Sequence, residues 1–360
     1  MSPAIVILVS VAALLVSFYA LHRVTDQYFV ESLDLLAKKM KLPSDIAGAT
    51  LMAIGSSAPE LLTSLMALVK GTQHAGLGVG TIVGSALFNI LVIVGASACV
   101  RRATLTWQPV VRDLLFYILT VLILFAILRD GQVTLVEAAG ASAFYLVYLI
   151  ALPLWRRVLP YKDSAEDLEQ EPEIEIPSRF KQLEIIVWSI NGLFTVMMPN
   201  LEKKPHRYLE AFALSIAAIA VLSWVLVEAG VALSTALGVP GAVIGLTVLA
   251  VGTSVPDLLA SVMVAKQGRS DMAVSNAVGS NIFDILIGLG LVWVAVILVE
   301  GGPILVDTTE LESSVVLLLT TVAGLAALLL ARRWRIAWPA GTVLLLTYFA
   351  YVGYIVSISL

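Results

Sequence analysis

Two short motifs recur in this chain with matching polar residues: GSSAPE at 55–60 and GTSVPD at 252–257, followed by GSALFN at 84–89 and GSNIFD at 279–284. Glu60, Asp257 and Asp284 all fall inside apolar stretches. A carboxylate there costs about 2.5–3.5 kcal/mol and marks a functional site by default. On a helix, Ser57, Glu60 and Ser64 share one face at i, i+3, i+7, as do Ser254, Asp257 and Ser261; Ser85 with Asn89 and Ser280 with Asp284 are i, i+4 pairs. Pro59 and Pro256 lack an N–H and crowd the carbonyl four residues back. Helix breaks are therefore expected at Gly55 and Gly252, freeing nearby carbonyls, those of Ala53 and Ala250 included, to face an ion. Non-helical backbone at that depth is tolerated only where it lines a cavity or is buried in protein.

Carboxylates, an amide, hydroxyls and freed carbonyls make an all-oxygen set. Ca²⁺ takes about 6–8 oxygens at about 2.3–2.6 Å, whereas softer metals call for Cys or His. Na⁺, also hard, fits the same set. If Glu60, Asp257 and Asp284 all ionise, bound cations must offset their charge, so an empty carrier is reluctant to cross; exchange is favoured over uniport. A single hydroxyl in an apolar helix usually back-bonds its own turn, but the recurrence of the whole set in two places points to ligands. For Gly48, Gly55, Gly84, Gly245, Gly252 and Gly279, close helix packing competes evenly with hinge or ligand duty. Glu31 and Glu228 also correspond and are expected to be satisfied near helix ends rather than to gate.

Other chemistries fit less well. His22, His74 and His206 are far apart in sequence, and the lone Cys99 excludes an intrachain disulfide or a thiolate cluster. An intramembrane aspartyl protease would use Asp257 and Asp284 as a dyad sharing a proton. That leaves Glu60 and Asn89 unexplained, and the chain has no GxGD motif.

The elements that must hold these residues are membrane helices. Of 360 residues only 13% are charged and 59% are apolar, with a mean hydropathy of +0.96. Soluble proteins average about 25% charged, so the chain is expected to be an all-α polytopic membrane protein. A formal charge of -4 and the lack of a basic tract argue against nucleic acid; the expected partners are the lipid bilayer and inorganic cations, with no cofactor. Apolar stretches long enough to cross about 30 Å of hydrocarbon fall near 3–22, 46–69, 76–99, 109–128, 133–152, 210–236, 241–265, 272–299, 312–331 and 336–358. The first lacks the positive n-region of a cleavable signal and reads as a span. The stretch 183–198 is short and reads as an interfacial helix. With ten spans and the amino terminus outside, 20 of the 22 Lys and Arg lie inside, leaving only Lys70 and Arg129 outside. The central linker from 153 is then cytoplasmic; seven Asp or Glu among residues 163–175 make it an acidic, solvated connection. Trp107, Trp155, Trp293, Trp334 and Trp338 sit near span ends and read as interfacial anchors.

Sliding the chain by 197 residues lays 30–71 on 227–268 without a gap, with 15 of 42 positions identical. A two-residue deletion then aligns 79–95 with 274–290, eight of 17 identical. Five spans per copy is an odd number, so the copies insert in opposite orientation, an arrangement that places transporter sites near the midplane. The expected organisation is a five-helix repeat at 1–152, an acidic linker with an interfacial helix at 153–206, and a second five-helix repeat at 207–360.

AGATLMAIGSSAPELLTSL with VGTIVGSALFNILVIVG, and GLTVLAVGTSVPDLLASVMVAKQGRSDMAVSNAVGSNIFDILIGLG, resemble the first and second α-repeats of the cation/Ca²⁺ exchanger superfamily. The wording is closest to the K⁺-dependent Na⁺/Ca²⁺ exchangers. The resemblance covers roughly 30–97 and 205–293. It implies ten helices in two inverted repeats, competitive Na⁺ and Ca²⁺ binding at mid-membrane, and sliding of the first helix of each repeat. Carried over, Glu60 and Asp257 are the central carboxylates, with Ser56, Ser57, Thr253 and Ser254 supplying hydroxyl or carbonyl oxygens. Asn89 and Asp284 complete the centre, and Ser85 and Ser280 line flanking Na⁺ positions. Asp284 stands where the K⁺-dependent branch has Asp, but K⁺-independent prokaryotic relatives also carry a carboxylate there, so the resemblance only suggests K⁺ co-transport. GSSAPE departs from the expected GGSAPE or GTSAPE. An integral protein of a cell membrane follows. The rival within transport is a H⁺/Ca²⁺ antiporter, whose family carries GNxxE-type centres instead.

Overall fold

The computed structural model describes residues 2–40, 53–160, 191–192, 194–201, 203–266, 270–308 and 311–359. Helices dominate: α1 (Pro3–Met40), α2 (Ala53–Val69), α3 (Ala75–Val100), α4 (Trp107–Leu128), α5 (Leu135–Val158), α6 (Tyr208–Leu237), α7 (241–266), α8 (270–300), α9 (Leu311–Ala331) and α10 (Trp338–Ser359). This follows from composition, because a chain this apolar must satisfy its backbone internally.

Among the described residues eight helices are long and apolar enough to cross a membrane, where the sequence leads one to expect ten. The two that fall short are α2 and α7, whose apolar parts are Ile54–Val69 and Gly241–Val255. Both carry the proline motifs, whose polar residues interrupt the apolar run, and the residues before α2 lie outside those described. The acidic segment 163–175 and Gly48 also lie outside the described residues, as does most of 183–198.

The sequence also leads one to expect helix breaks at the prolines, and the structure corrects this. α2 runs unbroken through Pro59, and α7 is helical throughout 241–266. One lost backbone bond is absorbed where neighbouring helices surround the segment. Irregularity appears instead as wide π-turns: Thr25–Val30 in α1, Asn89–Ile93 in α3, Gly245–Leu249 in α7 and Asp284–Leu289 in α8. Two of these begin at Asn89 and Asp284, which correspond across the internal repeat. Single π-turns inside α-helices are frequent at functional sites.

Four two-residue strands tie the connections together. β1 (Ala103–Thr104) pairs antiparallel with β4 (Arg335–Ile336), and β2 (Gln132–Val133) with β3 (Ile304–Leu305). α1 lies against α6, α4 against α9, α3 against α7, and α2 against α8. A large apolar core joins α3, α4, α5, α8, α9 and α10. A second core joins α1, α6 and the adjoining faces of α2 and α7, with Phe194 and Met198 packed into it.

Trp293 is not an interfacial anchor: it is 1% exposed inside the larger core. The outer half of α8 packs on α5 and α2, and Trp293 stands on that packed face while Leu291, Leu298 and Val299 occupy the exposed one. Trp155 does sit near a helix end, its Nε1 donating to the Gln108 carbonyl at 2.9 Å.

Candidate cation site

Small residues set how closely the motif helices approach. A Cβ added at Gly84 of α3 would stand 2.7 Å from the Ala250 Cβ and 2.8 Å from the Leu246 carbonyl carbon of α7. Carbon atoms at rest are about 3.5–4.0 Å apart, so only glycine allows this contact. One residue on, the Ser85 and Ser254 hydroxyls meet at 2.9 Å, joining GSALFN to GTSVPD. At Gly252 an added Cβ would strike the Phe18 ring, so α1 lies directly over the second proline motif.

Glu60 and Asp284 are each 2% exposed, although one comes from α2 and the other from α8. Thr253 of α7 lies against the Glu60 carboxylate, and Ser57 of α2 faces that of Asp284. Asp284 lies within electrostatic reach of both Glu60 and Asp257. The three carboxylates do not close on one point: among the described residues, no three acidic, His or Cys side chains converge enough to hold a metal between them. Glu60 and Asp284 are both buried and lie near each other, whereas Asp257 is only partly buried.

The hydroxyls divide into two kinds. Thr253 Oγ1 donates to the Leu249 carbonyl at 3.1 Å and lies 3.4 Å from that of Ala250, and Ser280 Oγ donates to Ala277 at 3.3 Å. These back-bond their own helix. Ser57 Oγ, Glu60 Oε2, Asn89 Oδ1 and Asp284 Oδ1 are instead buried with no hydrogen-bond partner among the described residues. Ser56 is half-buried in α2, Ala250 is fully buried, and Ala53 begins α2. Of the two further matched carboxylates, Glu228 forms an ion pair with Lys70 and Glu31 begins the last segment of α1.

Sequence reasoning missed Asn281. It is completely buried; its Nδ2 donates to the Ala86 carbonyl at 3.1 Å and to the Tyr117 hydroxyl at 2.9 Å, while its Oδ1 accepts from Asn89 Nδ2 at 2.8 Å. Asn89 Nδ2 also reaches Ser280 Oγ at 3.5 Å. Asn281 thereby fixes the Asn89 amide with its oxygen, not its nitrogen, left over. The available signal was the asymmetry of GSNIFD against GSALFN, an amide at 281 where the other copy has Ala86. Also missed was the buried pair of Arg112 and Asp113 in α4: Arg112 Nε donates to Asp113 Oδ1 at 2.8 Å, and Tyr148 and Ser275 each donate to Asp113 at 3.2 Å. Arg112 reads in the sequence as a loop charge.

Known proteins resemble this chain in sequence and in fold. The family profile described as sodium/calcium exchanger protein matches residues 10–153 and 208–357. Sodium/potassium/calcium exchanger 4 of Mus musculus is 27% identical over 508 aligned positions, covering 98% of this chain and 81% of that protein. Sodium/potassium/calcium exchanger 5 of Homo sapiens is 29% identical over 401, covering 92% and 79%. Among solved structures, the sodium-calcium exchanger NCX_Mj has a similar fold, with a TM-score of 0.57 at 23% identity, over 96% of this chain and 99% of that one. The chain belongs to the sodium/calcium exchanger protein family.

Proposed function

We propose that this chain exchanges Na⁺ for Ca²⁺ across a membrane by alternating access, both ions using the chamber between α2, α3, α7 and α8. The unpartnered oxygens of Ser57, Glu60, Asn89 and Asp284 carry this reading. A buried acceptor without a partner costs about 1–3 kcal/mol, and more if charged. A dehydrated hard cation supplies the missing interactions. Glu60, Asp284 and Asp257 contribute charge. Ser56, Ser57, Thr253, Ser254 and the carbonyls of Ala53 and Ala250 contribute neutral oxygens. Ser85 and Ser280 serve flanking Na⁺ positions.

Ten spans in two inverted five-helix repeats, 1–152 and 207–360, about a cytoplasmic linker remain the organisation that fits best. Packing supports it: α3 on α7 corresponds to α8 on α2, α4 on α8 to α9 on α3, and α5 on α8 to α10 on α3. The ribbons support it too, since β1–β4 joins the two connections rich in arginine and β2–β3 the two poor in it, as opposite sides of a membrane require. α1 and α6, packed on each other in their own core, are the elements suited to slide. We place the protein in a cell membrane with its amino terminus outside. The names of the relatives, which join sodium, potassium and calcium, favour K⁺ co-transport with Asp284 in attendance.

The test uses vesicles loaded with Na⁺ and diluted into Na⁺-free medium containing labelled Ca²⁺, with and without K⁺. Uptake should follow the Na⁺ gradient and vanish in Glu60→Gln and Asp257→Asn. Uptake driven by a pH gradient and indifferent to Na⁺ would replace this reading with H⁺/Ca²⁺ antiport; uptake unchanged in the carboxylate variants would end it.

A further inference from the structure

β1 and β4 join two connections far apart in sequence into one antiparallel ribbon. Arg101, Arg102, Arg332, Arg333 and Arg335 border or form it, and all five are exposed. The register pairs Thr104 with Arg335 and Ala103 with Ile336. Thr104 and Arg335, opposite each other in this register, share one face of the ribbon, and the exposed Arg102 immediately precedes β1. Ile336 turns inward and is 2% exposed. The turn before β4 is held open by two non-glycine residues in the left-handed region, Arg333 (φ 51°) and Trp334 (φ 63°), and is pinned where Leu105 N–H donates to the Trp334 carbonyl at 2.8 Å.

Among the described residues none of the five arginines has a carboxylate partner. Arg101 donates instead to the Lys266 carbonyl at 3.1 Å. Two guanidinium forks near a hydroxyl match the oxygens of a phosphate, which arginine binds bidentately. Position selects the source of that phosphate. α3, α4, α9 and α10, all apolar enough to cross a membrane, end at this ribbon. Trp107 and Trp338 are exposed beside it, as aromatic side chains are at headgroup level. The ribbon at the other end of α4 and α9, β2–β3, is flanked by Arg129, Asp130 and Asp307 and lacks such a charge. An insertion signal needs only the number of basic residues on one side, not one of them set opposite a hydroxyl on one face of a ribbon.

We propose that the β1–β4 ribbon binds the phosphate headgroup of an anionic phospholipid in the adjacent leaflet, through Arg102, Thr104 and Arg335. The full chain, purified in detergent, is titrated with radiolabelled dioctanoyl phosphatidylglycerol and dioctanoyl phosphatidylcholine by equilibrium dialysis. Phosphatidylglycerol should bind at least tenfold more tightly. Arg102→Gln with Arg335→Gln should weaken it by about thirtyfold, roughly fivefold for each basic contact near a membrane surface, compounded. Arg101, Arg332 and Arg333 keep their charge in that variant, so its insertion and elution profile should match the parent; Arg102→Lys with Arg335→Lys keeps the charge without the fork and should fall between. Equal affinity for the two lipids, or no loss in the glutamine variant, overturns the proposal. So does displacement by millimolar inorganic phosphate, which would make this a free-anion site. Binding that emerges only once the acidic residues of 163–175 are neutralised also overturns it, assigning the ribbon to the linker.

Discussion

Gly84→Ala tests whether the approach of α3 to α7 builds the ion chamber. The added methyl would stand 2.7 Å from the Ala250 Cβ and meet the Leu246 carbonyl carbon at 2.8 Å. Relief to ordinary carbon contact needs about 1 Å of separation between the helices. The Ser85 and Ser254 hydroxyls, 2.9 Å apart on the next turn position, would then stand too far apart to bond. Overpacking of this kind costs about 1–3 kcal/mol, and the hydroxyl pair a further 1 kcal/mol or so. Expressed in binding, that is a loss of roughly thirtyfold to nearly a thousandfold in Na⁺ affinity, with the transition midpoint in detergent lowered by several degrees. Na⁺-dependent labelled-Ca²⁺ flux in vesicles reads the first quantity, and thermal unfolding the second. Gly140→Ala is the control, since an added Cβ there meets nothing within 4 Å, and both readouts should stay at parental values or improve. A Gly84→Ala protein with parental Na⁺ affinity and midpoint would refute the reasoning, because it would show that the two helices do not depend on this contact.

Three other predictions are independent of that contact. Asp113→Asn removes the carboxylate paired with the buried Arg112 guanidinium and should destabilise by about 3–5 kcal/mol, read as a lowered midpoint, with Asp113→Leu combined with Arg112→Leu recovering much of it; a single variant as stable as the parent refutes the pair's importance. Asn281→Asp retains an acceptor for Asn89 but loses both donors, to Ala86 and Tyr117, whereas Asn281→Leu loses all three bonds; Ca²⁺ affinity should fall in that order, by about tenfold or more in the leucine variant, and equal affinities would show that the Asn89 amide needs no orientation. The Lys70–Glu228 pair is partly exposed, with side chains 22% and 43% accessible, so Glu228→Gln should change stability by less than about 1 kcal/mol and less still at high salt; a larger loss would make Glu228 part of the gate.

The sequence alone determined where the apolar helices run, that two segments repeat, and that carboxylates and hydroxyls lie within those helices. Each of these rests on a local property: an apolar run must fold on itself in lipid, and a carboxylate there must have a purpose. Glu60 and Asp284 were legible because their cost in hydrocarbon does not depend on their neighbours. The tertiary structure decided which oxygens face each other. That Ser85 meets Ser254, that Asn281 and not solvent holds Asn89, and that Asp257 is partly exposed while Glu60 and Asp284 are buried all depend on how closely glycine-lined helices approach. The unbroken helices at Pro59 and Pro256 and the burial of Trp293 were illegible for the same reason. A proline's lost bond and a tryptophan's preferred depth are settled by the helices packed around them, and those contacts join residues far apart along the chain.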